Sequence, residues 1–116
     1  MLKSLANKIT YTPRFAKDVK PILKKFRTFS ESLESLEKEL LKNPRMGDPY
    51  GKNIFKVRVA DESKGKGKSG GFRVITYVID ESKDCTHIYI ITVFDKSEES
   101  TIKKDDAVKL VRKCGL

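Results

Sequence analysis

Four cations in this chain are spaced for chemistry on phosphate: Lys56, Arg58, Arg73 and Lys96. In the run FKVRV, Lys56 and Arg58 alternate with Phe55, Val57 and Val59. A strand there turns both cations to one side and the three apolar groups to the other. Arg73 opens a second apolar run, FRVITY, and Lys96 follows a third, HIYIITVF. Between the first two runs lies KGKGKSGG, which sets Lys64, Lys66 and Lys68 among glycines. Glycine lets a backbone come close to a phosphate. From residue 52 to 77, seven Lys or Arg stand against two acids, Asp61 and Glu62, which is over half of the formal charge of +9. Charge so concentrated attracts a polyanion at long range and releases its counterions on contact. The expectation is that Lys56, Arg58 and Arg73 project to solvent on one sheet face, joined by Lys96.

Other chemistry finds less support. The glycines Gly65, Gly67 and Gly70 fit the spacing of a dinucleotide fingerprint, but a strand pattern follows them where that motif needs a helix. Gly67-Lys68-Ser69 resembles the end of a phosphate-binding P-loop, yet the earlier glycine would fall on Glu62. His87 is the one histidine and reads as an edge or turn residue rather than a catalyst, and it excludes any multi-histidine metal site. Asp95 and Glu98 are possible proton carriers, though turn carboxylates are commonly just solvated. Cys85 and Cys114 are too few for a disulfide framework or a zinc site and are expected to be reduced thiols. No metal or cofactor is expected.

The elements that must position these groups follow from periodicity. Residues 7–12 (NKITYT) alternate as a short strand, and Thr12-Pro13 caps and starts a helix. Phe15, Val19, Ile22, Leu23 and Phe26 form its apolar face, and Pro21 is expected to kink or break it near Lys20. Thr28 and Glu31 have the spacing of a capping box for a second helix, striped by Phe29, Leu33, Leu36, Leu40 and Leu41 and ended by Asn43-Pro44. Residues 46–53 form a turn-rich connector. Strands follow over 54–59, 72–79 and 87–94, with a hairpin turn over 80–84. The last strand is apolar enough to be buried on both faces. A short helix after Thr101 presents Ile102, Val108, Leu110 and Val111 to the sheet. The order βααβββα predicts an α+β fold, with an antiparallel-rich sheet, an N-terminal helical hairpin and a short C-terminal helix.

At 116 residues, 38% hydrophobic and 35% charged, the chain is expected to be a single domain, 1–116, with a thin core and a charged surface. No apolar run approaches a membrane span. Met1-Leu2-Lys3-Ser4-Leu5 is too short for a signal peptide, so a cytoplasmic location is expected.

The βααβββα order, FKVRVA, the lysine–glycine loop, GGFRVITYV and TVFDKSEES together resemble the RelE/ParE superfamily of type II toxin–antitoxin toxins. KGKGKSGG and the DKSE run are most similar to its HigB-like branch. The resemblance covers about residues 7 to 112. It implies a ribosome-dependent mRNA endoribonuclease that inhibits translation, with the ribosome and mRNA as partners and a cognate antitoxin that holds it inactive. The family's catalytic basic residues fall on Lys56, Arg58, Arg73 and Lys96. The aromatic that stacks on a base in some relatives has no counterpart, since Ile102 occupies that region, and Phe94 is the substitute within reach.

Such a site would cut RNA through its own 2′-OH without a metal. Crowding by like charge helps a lysine give up its proton, which makes Lys56 the expected base. Arg58 and Arg73 suit the phosphate oxygens, because a planar guanidinium pairs with them through two bonds. Lys96 would complete the phosphate clamp or protonate the leaving oxygen, and Lys64, Lys66 and Lys68 would hold the strand. Two other readings use the same charges. One is a ParE-like gyrase inhibitor, and the other a basic RNA- or ribosome-binding module with no turnover.

Overall fold

The computed structural model describes residues 7–61 and 71–116, so Lys64, Lys66 and Lys68 lie outside the described residues. The elements run β1 (Lys8–Tyr11), α1 (Pro13–Lys25), α2 (Phe29–Lys42), β2 (Asp48–Pro49), β3 (Ile54–Val59), β4 (Phe72–Ser82) and β5 (Cys85–Asp95). A 3-10 turn (Lys96–Thr101) and α3 (Lys104–Lys113) complete the chain. The strands lie in the order β1-β5-β4-β3-β2. β1 pairs parallel with β5, and the other pairs are antiparallel. The expected α+β order is present with one strand more. Asp48–Pro49 pairs with Lys56 and Phe55, but two residues carry no periodicity to read.

The sheet is covered on both faces. α1 and α2 bury Phe15, Val19, Phe29, Leu36 and Leu40 against Val57, Val59, Phe72, Val74, Val78, Ile88, Ile90 and Val93. α3 buries Ala107, Leu110 and Val111 against Ile54, Ile75, Ile91 and Phe94. Phe29 and Leu40 lose all exposure, and each such side chain contributes about 1.5–3 kcal/mol. β5 is buried on both faces from Ile90 to Phe94, which explains why its sequence there is almost wholly apolar.

Three local expectations are corrected. Pro21 does not break α1, which runs through it to Lys25. Pro21 and Lys17 are both exposed, so the carbonyl that loses its amide partner lies on the solvent side of α1, where water can satisfy it. Thr28 does not form a capping box, because its side chain makes no bond to the helix N-terminus. It donates instead to the carboxylate of Asp61, 2.9 Å away. The β4–β5 turn is shorter than 80–84, since pairing continues to Ser82 and Cys85.

Thr12 caps α1 as expected, accepting from the Phe15 amide at 3.2 Å. Its hydroxyl also donates to the carbonyls of Ile90 and Ile91, each 3.0 Å away. The ladder between β4 and β5 shifts at this point, with Ile75 opposite Thr92 and Thr76 opposite Ile90. Ile91 is the extra residue of a bulge, and the start of α1 is pinned to it.

Candidate nucleic-acid interface

β3 and β4 place three of the expected cations together. Arg58 lies directly opposite Arg73, and Lys56 lies opposite Ile75, one pleat repeat along β3. Opposed residues share a face, so all three belong to the α3 side of the sheet. Phe94, opposite Arg73 on β5, continues the row. Lys96 begins the turn after β5, with its amide bonded to the Gly71 carbonyl at 3.0 Å. That bond ties Lys96 to the strand carrying Arg73. Gly71 permits the closure: a Cβ there would sit 2.1 Å from the Val59 carbonyl oxygen.

The surroundings of the cations differ. The Arg58 guanidinium is mostly exposed and lies 3.9 Å from the Asp48 carboxylate. Lys56 is half-buried, with its ammonium 4.5 Å from the centre of the Tyr50 ring. Tyr50 in turn donates its hydroxyl to the Ile102 carbonyl, linking the β2–β3 connector to the segment before α3. Arg73 departs from expectation. It is 3% exposed, not projected to solvent, and its Nη1 donates to the Phe72 carbonyl at 3.2 Å. The side chain lies on the face that α3 covers, so the strand alternation that set its direction did not set its exposure. Phe94 is likewise 7% exposed and packs with α3, which leaves little ring area for a base.

Two features escaped the sequence reading. The first is Asp61, 4% exposed at the end of the β3 segment, whose carboxylate accepts from Thr28 at 2.9 Å and Ser32 at 2.8 Å. The signal was present in the two hydroxyls spaced one helical turn apart, but not their partner. The second is α1. Residues 14–27 hold six cations, Arg14, Lys17, Lys20, Lys24, Lys25 and Arg27, against Asp18 alone. Beside α1 runs a groove of about 730 Å³, walled on its far side by the end of β5 and the turn after it.

His87 keeps a structural post. Its Nε2 lies 2.6 Å from the Thr10 hydroxyl and its Nδ1 2.8 Å from Glu81, while its ring stacks on Tyr89 at 4.0 Å. Lys8 adds a 3.1 Å ion pair to the same carboxylate. The bond from His87, then that from Lys8, holds the Glu81 carboxyl below its ordinary value, and Glu81 in turn raises Lys8. These contacts fasten β1 to the hairpin about 20 Å along β5 from Phe94, away from the cationic row. Among the described residues, no three His, Cys, Asp or Glu are grouped to hold a metal, and no helix is long and apolar enough to cross a membrane.

No protein-family model matches the sequence. Among solved structures, the chain is similar to a double arginine-to-alanine mutant of the E. coli toxin RelE in its free state. The match covers 90% of this chain and 96% of that one, with a TM-score of 0.57 and 24% sequence identity. This chain, with its helical hairpin, mixed sheet and C-terminal helix, has the RelE fold.

Proposed function

We propose that this protein is the toxin of a type II toxin–antitoxin system, a metal-independent endoribonuclease that cuts mRNA on the ribosome. The observation that carries the reading is the placement of Lys56, Arg58 and Arg73 on one sheet face of a RelE fold. Three cations from two paired strands provide what in-line attack by a 2′-OH needs: a base, and donors for the charge that builds on the phosphorane. Lys56 takes the 2′-OH proton, Arg58 and Arg73 hold the phosphate oxygens, and Lys96 clamps the phosphate or protonates the leaving 5′-oxygen. The 2′-OH requirement restricts the substrate to RNA. A cognate antitoxin neutralises the same face.

The test is toe-printing of mRNA on translating ribosomes. Wild type should produce new 3′ ends, and Arg73→Ala with an intact fold should produce none. Full cutting by that variant would remove Arg73 from the site. One observation favours a second reading, a basic RNA- or ribosome-binding module without turnover: Arg73 is 3% exposed, so a phosphate reaches its guanidinium only after its surroundings rearrange. That reading predicts salt-steep binding and no cleavage products.

A further inference from the structure

The groove beside α1 is built asymmetrically. Its α1 wall carries Arg14, Lys17 and Lys25, and its floor includes the half-buried Phe26, with Phe72 fully buried beneath. The opposite wall is Asp95, Ser97 and Glu98, the residues that flank Lys96. Of the acids, Asp18 is occupied within the protein by Arg14 at 2.7 Å and by the Thr92 hydroxyl at 2.5 Å. Asp95 accepts from the Ser97 amide at 2.9 Å. The cationic wall extends beyond the groove. At about 100° per residue, Arg14, Lys17, Lys20, Lys24 and Lys25 occupy an arc of roughly 140° on α1. All five are exposed, and their arc is centred on the side of α1 opposite Phe15 and Val19, which pack on the sheet.

We infer that this groove holds single-stranded RNA flanking the scissile phosphate, carrying the strand from the Lys96 turn around the end of the sheet onto α1. The inference rests on the nuclease reading for where the strand is cut, but not for its binding. Three arguments select this occupant. The groove adjoins the candidate site, since its far wall is formed by Asp95, Ser97 and Glu98 on either side of Lys96, although Lys96 itself does not line it. Its polarity orients a strand, with phosphates drawn to the α1 wall and repelled by the acids of the opposite wall. Its floor offers the half-buried Phe26 ring, and the Lys25 ammonium already lies 5.5 Å from that ring's centre, the mixture of cation and ring that single strands use. A duplex would present its backbone but keep its bases paired away from the floor.

The experiment measures binding of a single-stranded RNA of about twelve nucleotides, 2′-O-methylated throughout so that it cannot be cut, across a salt series. Lys17→Glu/Lys25→Glu is compared with Lys38→Glu/Lys42→Glu, which makes the same charge change on α2. The α1 variant should lose about tenfold or more in affinity, and its salt slope should fall by about 1.4 for two lost phosphate contacts. The α2 variant should lose much less. Equal losses in both, no loss in the α1 variant, or tighter binding of a duplex of the same length would each overturn the inference. Toe-printing in parallel separates the two ideas. Loss of binding in the α1 variant of a protein that cuts nothing keeps the groove and removes the nuclease. Ribosomal cutting by wild type with unchanged binding in that variant does the reverse.

Discussion

Arg58 and Arg73 stand directly opposite each other across β3 and β4, two like charges in one cross-strand pair. Such a pair is unfavourable by a few tenths of a kcal/mol to about 1 kcal/mol. The Asp48 carboxylate, at 3.9 Å and largely exposed, offsets little of this. The pairing itself therefore disfavours the free protein slightly, and under the proposed function a phosphate bound at Arg58 would relieve it.

Replacing one partner should separate stability from activity. Arg58→Thr, which keeps a good strand former, should raise the unfolding free energy by about 0.5 kcal/mol. The same variant should lower RNA cleavage by about tenfold or more through loss of a phosphate donor. Urea unfolding and a single-turnover cleavage assay check the two halves. A variant that loses both stability and activity would show that Arg58 supports the sheet instead of straining it.

The strands of the site were readable because β3 alternates from Phe55 to Val59 and β5 is almost wholly apolar from Ile88 to Phe94. The shared face of Lys56 and Arg58 followed from period two alone. The burial of Arg73 did not follow, because exposure depends on what the other elements lay over the strand, and alternation gives direction only. Pro21 and Thr28 show the same limit from the helix side. A local rule assigned each a role, and packing or a distant partner, Asp61, overrode it. The groove beside α1 was invisible for a different reason: its two walls, Lys17 and Glu98 among them, are far apart in sequence.

Asp61 should be the most sensitive polar position outside the cationic face. Its buried carboxylate accepts two hydroxyls from the first turns of α2, and hydrogen bonds to a charged group contribute about 1.5–3 kcal/mol each. Asp61→Ala should cost about 3 kcal/mol in chemical denaturation. Asp61→Asn, which retains one acceptor oxygen, should cost about half of that. Equal stability of wild type and both variants would mean that α2 does not depend on this anchor.

Thr76 should respond in the opposite direction. It is fully buried opposite the Ile90 side of the β5 bulge, and its hydroxyl has no hydrogen-bond partner among the described residues. Val has nearly the same shape and keeps the strand preference. Thr76→Val should therefore stabilise the protein by about 1 kcal/mol, the desolvation cost of a hydroxyl left unsatisfied. Loss of stability in this variant, read from thermal or urea unfolding, would show that the hydroxyl is bonded in solution.

The tether at the far end of the sheet makes β1 sensitive to acid. Glu81 has its folded-state value lowered by His87 and Lys8, so its contribution is complete above the ordinary value of 4.5 and is lost as pH falls through the folded value. Lys8 is raised by the same contact, so its contribution is complete below 10.5 and is lost as pH rises past its folded value. The tether thus supports β1 across neutral pH and weakens at both extremes. Urea midpoints measured from neutral pH into acid should fall more steeply for wild type than for Glu81→Gln, which has no carboxylate to titrate. Identical acid limbs for the two proteins would show that the contacts among Glu81, His87 and Lys8 do not persist in solution, leaving β1 held by its pairing with β5.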